Sequence, residues 1–339
     1  VTGVQTCALP IYSMTDLTDS FGRKIEYLRL SVTDRCDFRC FYCIPKGFKS
    51  FGERENRLNL DEFERLVRIF SELGISKVRI TGGEPLIRSD IVDMARRFGA
   101  LPAIDDLSMS TNASQLATYA ARLRDAGVSR LNVSLDSLNP DLFHRITGGD
   151  LAQVIDGLMA AKAAGFRPIK INMVVMKDVN LGEIEDMVDF CLEHRFTLRF
   201  IETMPVGAAG QEAKDSYIDL LQVQRLLERR FQFEPSKMKG SGPARYLRVT
   251  GRRLKIGFIT PMSQHFCESC NRVRLSSEGT LYLCLGQQDK LELRPLLRQG
   301  VSDDELKSRV VAAIHRKPER HQFNERPERT LRLMSMTGG

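Results

Sequence analysis

Tryptophan is absent from the 339-residue sequence, and only 7% of the residues are aromatic. No stretch approaches the ~18 consecutive apolar residues that a membrane span requires, so we predict a soluble protein with no membrane partner. Eight cysteines are too few for a disulfide scaffold, and their clustering is more informative than their number. The hydrophobic fraction of 42% excludes a disordered or collagen-like chain. The length predicts one large domain with a smaller one.

Acidic residues are outnumbered, since 43 Asp and Glu stand against 50 Lys and Arg, for a net charge of +7. This surplus favours an anionic partner such as a nucleotide, a nucleic acid or a membrane surface, without choosing among them. Residues 1–13 carry no charge and lack the basic start and apolar stretch of a signal peptide. We expect them to be a non-native extension, with Met14 as the natural start, and set Cys7 aside.

Short β-rich runs alternate with helical patterns through the first two-thirds of the chain. The predicted strands are Tyr27–Val32, Lys77–Thr81, Asp106–Thr111, Leu131–Leu135, Ile169–Val175 and Thr197–Glu202. Six such units imply parallel βα repeats, whereas eight would close a barrel. We therefore predict an α/β fold with a partial (β/α)6 TIM-type barrel over 14–235, and a doubly wound open sheet is the second choice.

Helix boundaries follow from capping signals. Asn59 with Glu62 predicts a capping box at the start of one helix, and Gly74 predicts its end. Asn180 with Glu183 repeats the start signal before the helical run at 184–191.

The pattern changes near the Gly/Ser/Lys-rich stretch at 235–243. Beyond it, runs at 245–249 and 253–259 and at 273–275 and 281–283 flank turn residues and predict two hairpins, and a capped helix follows from Ser302. We predict a smaller C-terminal α+β domain over 244–339.

The first cysteine cluster is Cys36, Cys40 and Cys43, in C-x3-C-x2-C spacing directly after the first strand. Three thiolates without a nearby histidine form an incomplete zinc set, but they suit an iron–sulfur cluster with one iron left open. A zinc knuckle is the alternative. An open iron could bind a substrate or cofactor.

The second cluster is Cys267, Cys270 and Cys284, in C-x2-C-x13-C spacing. A zinc ribbon with His265 as fourth ligand is a serious alternative on spacing alone, but three cysteines again favour a cluster with an open iron. The remaining Cys191 lies in a helical apolar pattern and is predicted to be a core thiol.

Two arginines, Arg272 and Arg274, lie between these cysteines. Residues two apart on a strand point to one face, so their guanidinium groups can converge on one anion such as a phosphate. A solvated basic strand is the alternative.

With both motifs in view, the sequence resembles the radical S-adenosylmethionine (SAM) enzymes. The resemblance rests on the first cysteine cluster, on Tyr42 beside its last cysteine, and on the Thr81-Gly82-Gly83-Glu84-Pro85 turn. It implies that SAM binds the first cluster and contacts Tyr42, Gly83, Ser134 and Met204.

Within that superfamily the chain is similar to the GTP 3′,8-cyclases, from about Phe21 to the terminal Gly338-Gly339. The resemblance implies two [4Fe–4S] clusters and GTP as the substrate. It also implies that a 5′-deoxyadenosyl radical starts the closure of the bond between C3′ and C8, the first step of molybdenum cofactor biosynthesis. The two terminal glycines are implied to act in the active site.

The same resemblance assigns a GTP site. Its residues are Arg29, Arg79, Ser110, Lys170, Arg272 and Arg274. Ser110 stands where the family usually has Thr, and Ala113 stands where Gly is more usual. Implied partners are a reductant or electron-donor protein and a cyclic pyranopterin monophosphate synthase that consumes the product.

Two alternatives stay open: a radical SAM enzyme that modifies a peptide or RNA, and a non-catalytic module with two zinc ions. No aromatic-interleaved basic patch supports RNA, so we predict no nucleic-acid partner. Because iron–sulfur clusters do not persist in an oxidising compartment, we expect a cytoplasmic protein, either monomer or homodimer.

Overall fold

The fold is built on one mixed sheet of twelve strands within the described residues, which in this computed structural model are 17–48, 51, 54–238, 242–325 and 332–338. The strands are β1 (Tyr27–Ser31), β2 (Lys77–Thr81), β3 (Asp106–Thr111), β4 (Arg130–Ser134), β5 (Ile169–Val174), β6 (Thr197–Ile201), β7 (Phe233–Ser236), β8 (Arg245–Val249), β9 (Lys255–Ile259), β10 (Arg272–Leu275), β11 (Thr280–Tyr282) and β12 (Lys290–Glu292).

Strands β1 to β6 lie side by side in chain order and pair in parallel. The sheet winds in one direction without a reversal of strand order, which excludes the doubly wound alternative. The partial six-unit barrel is confirmed, and each predicted strand agrees with the observed one to within a residue at each end.

The C-terminal hairpins extend this sheet at both edges. β10 pairs in parallel with β1, and β9 pairs in parallel with β6. β11 and β12 continue one edge and β8 and β7 the other, all antiparallel. The two hairpins predicted from sequence are present, but they join the barrel strands rather than forming a sheet of their own. The domain division at 235 and 244 stays a prediction.

Helices of the barrel units cover the outer face of the sheet, and the last, short helix lies in the C-terminal tail inside the cavity. The helices are α1 (Leu60–Glu72), α2 (Ile91–Gly99), α3 (Leu116–Asp125), α4 (Pro140–Thr147), α5 (Leu151–Ala163), α6 (Ile184–His194), α7 (Gly207–Glu212), α8 (Leu220–Leu227), α9 (Arg294–Arg298), α10 (Asp303–His315) and α11 (Met334–Thr337). The capping box of Asn59 and Glu62 forms as predicted. Within the described ranges, no helix has the length and apolar composition needed to cross a bilayer.

Strand alternation separates the core from the interior of the barrel. On β1, Leu28 and Leu30 are fully buried in the hydrophobic core, whereas Tyr27 and Arg29 line the central cavity. Successive side chains of a strand point to opposite faces, so apolar residues pack under the helices while polar ones face inward.

The predicted capping box of Asn180 and Glu183 is wrong. The Asn180 side chain instead accepts from the N–H of Met176 at 2.8 Å and donates to the carbonyls of Asp136 and Val174 at 2.8 and 2.9 Å. Glu183 accepts from Ser137 and from the N–H of Leu138. Both side chains therefore tie together loops at the end of the barrel, and long-range partners outcompete the local cap.

This difference predicts unequal costs for two similar substitutions. Asn180→Ala leaves three buried backbone groups without partners and should lower the free energy of unfolding by about 3 kcal/mol. Asn59→Ala removes an exposed cap and should cost about 1 kcal/mol. Urea denaturation of the two variants under anaerobic conditions measures both costs, and equal values would contradict the network.

Candidate active site

A cavity opens at the carboxyl ends of the parallel strands. Its empty volume is about 2150 Å³ including the open mouth. All six clustered cysteines line it, and so do four of the five predicted GTP-binding basic residues. The cysteines are Cys36, Cys40, Cys43, Cys267, Cys270 and Cys284, and the basic residues are Arg29, Arg79, Arg272 and Arg274.

The loop with the first three cysteines packs against the Gly82-Gly83 turn. A Cβ atom on Gly82 would lie 2.6 Å from the carbonyl oxygen of Thr33, and one on Gly83 would collide with that of Arg35. The N–H of Gly83 donates to the Thr33 carbonyl at 2.7 Å, and that of Glu84 donates to Arg35 at 2.8 Å. The glycines are required here because two backbone segments touch.

Two buried acidic residues hold the loop with the first three cysteines in place through hydrogen bonds. Glu84 is fully buried and accepts from Thr111 Oγ1 at 2.7 Å and from the N–H groups of Asn112 and Leu86. The Tyr42 hydroxyl donates to Asp136 at 2.6 Å, and Asp136 also accepts from the N–H of Val174. The loop after β1 is thereby connected to β3, β4 and β5.

The electrostatic environment of the first cysteines disfavours free thiolates. Burial, with the charges of Asp136, Cys43 and Cys36, raises the pKa of Cys40, and burial raises that of Cys43 to about 11. Burial also raises the pKa of Glu84 to about 8, against its three donors, and that of Asp136 to about 6. A cationic metal centre would reverse this penalty, because thiolates bound to metal are stable in their charged form.

The second cysteine set includes one thiol whose cationic neighbours outweigh burial. Burial raises the pKa values of Cys267 and Cys284, as at the first set. Burial alone would raise the pKa of Cys270, but Lys317 and Arg272 outweigh it and the pKa is lowered. Arg23, which is paired with Asp19, donates to the Cys267 carbonyl at 2.8 Å. Lys317 is buried and donates to the carbonyl of Leu283, next to Cys284, at 2.6 Å.

Neither cysteine set is arranged around a single ion. In the described part of the chain, no three Cys, His, Asp or Glu side chains lie close enough to share one metal. A tetrahedral zinc site needs ligands about 2.0–2.3 Å from one centre, whereas the cysteines of a four-iron cluster bind different irons and stand further apart. Three thiol donors in each set, all lining one cavity, are the ligand type that an iron–sulfur cluster requires.

A row of arginines crosses three neighbouring strands at one level of the barrel. Arg29 on β1 is the register partner of Arg274 on β10 and of Arg79 on β2. All three are buried. Like charges directly opposite on adjacent strands destabilise a sheet, so this arrangement calls for an anion between them.

These cations lack carboxylate partners within the described residues. Burial and then Arg274 lower the pKa of Arg29, and burial and then Arg272 lower that of Arg274 to about 10. The Nε atoms of Arg29 and Arg272 are buried without a hydrogen-bond partner. The carboxylate of Asp106, which is nearby, is already paired with Arg130. A bound polyanion would satisfy the free donors.

Lys170 and Arg199 extend the positive charge, and only the first was predicted from sequence. Lys170 is buried, with its Nζ atom 6.0 Å from the centre of the Tyr246 ring, and it is not among the residues that line the cavity. Burial, then Arg199, lowers its pKa to about 7. Arg199 lines the cavity and donates to Asn172 and Asn132 at 2.8 and 2.6 Å. The sequence could have indicated Arg199, because it is a lone arginine in an apolar strand, as Arg29 is.

The other predicted contacts lie around the same cavity. Tyr42, Gly83, Ser110, Ser134 and Met204 all line it. Asn132 donates to the Ser110 hydroxyl at 3.4 Å, which is a long hydrogen bond. Lys317 and Asp136 were missed from the sequence because each acts on a loop distant in the chain.

The C-terminal tail enters the cavity between the two cysteine sets. Arg274 donates to the carbonyls of Thr337 and Gly338, and Ser31 donates to that of Ser335 at 3.4 Å. Gly338 is buried against Thr81 with φ +75°. Gly339 lies outside the described residues.

Two known family models match successive parts of the chain. The model of the radical SAM superfamily matches residues 30–191, and that named Molybdenum Cofactor Synthesis C matches residues 196–323. The chain is 47% identical over 330 residues to GTP 3′,8-cyclase 1 of Pseudomonas aeruginosa, covering 96% of this chain and all of that protein. It is 46% identical to GTP 3′,8-cyclase of Hydrogenovibrio crunogenus, covering 91% of this chain and 95% of that one.

Solved structures support the fold. SuiB of Streptococcus suis superposes with a TM-score of 0.59 at 18% identity, covering 85% of this chain and 69% of that chain. The same protein bound to S-adenosylmethionine gives a TM-score of 0.58, covering 84% and 68%.

The low pKa of Lys170 predicts proton uptake when a polyanion binds. Below pH 7 the amine is already charged, whereas above it binding must recharge the amine, so affinity should fall as the pH rises. Calorimetric titration with inorganic triphosphate at pH 8, in buffers of different ionisation enthalpy, should show up to about one proton taken up per triphosphate.

Two variants isolate the effect of Lys170. Lys170→Arg stays charged at every pH tested and should keep binding but lose the uptake. Lys170→Met should lose both. Proton uptake by Lys170→Arg equal to that of the unmodified chain would show that another group titrates.

Proposed function

Because the chain belongs to the GTP 3′,8-cyclase family of radical SAM enzymes, we propose that its two cysteine sets hold two [4Fe–4S] clusters facing one cavity in which GTP is bound between them. Its reaction is the cyclisation of GTP to 3′,8-cyclo-7,8-dihydro-GTP, the first step of molybdenum cofactor biosynthesis. The observation that carries this proposal is the opening of both cysteine sets and an unpaired group of buried cations onto the same cavity.

Cys36, Cys40 and Cys43 are the proposed ligands of the first cluster. These residues would hold the cluster and SAM, and with one electron from a donor the pair would supply the radical chemistry that removes hydrogen from C3′ of GTP, so that C3′ can bond to C8. The chain itself holds the loop rigid through the Tyr42–Asp136 and Glu84–Thr111 hydrogen bonds. Rigid support keeps reacting atoms within the short distance that such a transfer requires.

SAM is proposed to lie along the Gly82-Gly83 turn, with Tyr42, Ser134 and Met204 as further contacts. Ser134 and Met204 stand at or just beyond the ends of β4 and β6. Barrel enzymes place their chemistry at these carboxyl ends.

Cys267, Cys270 and Cys284 are the proposed ligands of the second cluster, which would hold the guanine base of GTP. Lys317 and Arg272 lower the pKa of Cys270, which favours the thiolate that binds iron.

The triphosphate is proposed to bind the unpaired cations. Arginine forks bind phosphate oxygens in pairs, and Arg29, Arg79 and Arg274 already form one row. Arg272, Lys170 and Arg199 add charge from both sides, and Ser110 offers a hydroxyl. The mutual repulsion of these groups is relieved only when the anion is present.

The tail, with Gly338 and Gly339, is proposed to complete the site. It covers Thr81 and Arg274 and helps to exclude water from a radical reaction. We further propose that the protein acts in the cytoplasm, receives electrons from a donor protein, and passes its product to a cyclic pyranopterin monophosphate synthase.

The decisive experiment is anaerobic incubation of the reconstituted protein with GTP, SAM and a strong reductant. GTP should disappear as 5′-deoxyadenosine forms, and the protein should contain about eight irons. Cys267→Ala should lower the iron content to about four per chain and stop GTP consumption while SAM cleavage continues. Two zinc ions per chain without a brown chromophore would refute the proposal. If the protein modified RNA or a peptide and left GTP unchanged, GTP would not be its substrate.

The packing of Gly338 against Thr81 predicts that Gly338→Ala lowers the rate of GTP cyclisation at least tenfold. The added Cβ would collide with the Thr81 side chain, and its φ of +75° disfavours alanine. Iron content and SAM cleavage without GTP should not change. Product is quantified by chromatography after anaerobic turnover.

Gly300→Ala is the matched control, since Gly300 has the same φ of +75° but nothing within 4 Å of its Cβ position. It carries the backbone strain without the collision and should leave turnover intact. If Gly338→Ala were as active as Gly300→Ala, the tail would not act in the active site.

A further inference from the structure

The base of the tail is held by one arginine. Arg332 donates to the carbonyls of Cys284 and Gln287, each at 2.9 Å, and also to that of Leu285. Its guanidinium group lies 4.5 Å from the centre of the Tyr282 ring. One side chain thus binds three carbonyls of the short segment 284–287, which carries Cys284.

The rest of the tail runs from this point across the cavity. Leu333 is buried near Gly207. Helix α11 follows, and the far end is bound by Arg274 and lies on Thr81, beside the Gly82-Gly83 turn. The tail therefore connects the loop of Cys284 with the part of the barrel that faces the first cysteine set.

The hydrogen bonds of Arg332 hold the 284–287 loop and the base of the tail together. Three carbonyls aimed at one guanidinium need the 284–287 loop in its observed conformation. In turn, a loop held by Cys284 on a metal centre keeps those carbonyls in place. The buried Nε atom of Arg332 has no partner of its own, so the terminal nitrogens carry the whole attachment.

We propose that Arg332 is a positioning residue that couples assembly of the second cluster to docking of the tail. The proposal rests on the function proposed above. Loss of the cluster frees the 284–287 loop and releases the tail, and loss of Arg332 weakens retention of that cluster. The chain would thereby close its active site only when the second cluster is present.

Hydrogen–deuterium exchange of the anaerobic, reconstituted full chain tests this coupling. Arg332→Ala and Cys284→Ala should each speed exchange of the 333–338 peptide at least tenfold. Cys36→Ala, which removes a ligand of the first cluster only, should not. In Arg332→Ala, an iron chelator should remove the second cluster at least tenfold faster than in the unmodified chain.

Arg320→Ala is the matched control, because Arg320 is exposed and paired with Glu325 in the same region. Exchange of β2 to β5 reports global folding. If Arg332→Ala speeds exchange of these strands, Arg332→Lys is used in its place. Lysine keeps the charge but not the forked guanidinium, so it should also speed exchange of the 333–338 peptide.

If exchange of the 333–338 peptide were unchanged in Arg332→Ala, Arg332 would not anchor the tail. A tail released by Arg332→Ala but not by Cys284→Ala, or released equally by Cys36→Ala, would overturn the coupling. If the unmodified chain carried four irons instead of eight, the two-cluster proposal would fail, while comparison of Arg332→Ala with Arg320→Ala would still decide whether Arg332 anchors the tail.

Discussion

Unpaired positive charge in the barrel interior is the constraint on which the rest of this structure depends. Arg274, Arg29 and Arg79 lie side by side on three strands, and burial lowers the pKa of each. Such a row opposes folding, because desolvation and mutual repulsion act together. The apolar faces of the same strands must therefore hold the sheet together from outside, under the helices.

Because the sheet does not close into an eight-unit barrel, the charged residues face a cavity. A closed barrel of eight βα units would fill its interior with side chains. Here β10 and β9 extend the six-unit barrel at its two edges, and the cavity stays large. The β10 edge brings Arg272, Arg274 and the second cysteine set to the strand that precedes the first set, so one parallel pairing brings the two halves of the site together.

The two cysteine sets differ in their charged neighbours. Burial, and then Glu84 and Asp136, raise the pKa values of Cys36 and Cys40 at the first set. At the second set burial raises the pKa values of Cys267 and Cys284, whereas Lys317 and Arg272 outweigh burial at Cys270 and lower its pKa. The first set therefore has acids beside it, and the second has Lys317 and Arg272 beside one of its thiols.

The sequence by itself determined the features that depend on neighbouring residues. Strand alternation, the Asn59 cap and both cysteine spacings are local, and they yielded the partial barrel and the candidate ligands. Tertiary structure alone decided that Asn180 bridges loops instead of capping a helix, that Arg199 joins the cation group, and that Arg332 holds the loop of Cys284. The physical reason is distance along the chain: the pairing of β1 with β10 joins residues 245 positions apart, and no local pattern records which strand becomes the neighbour.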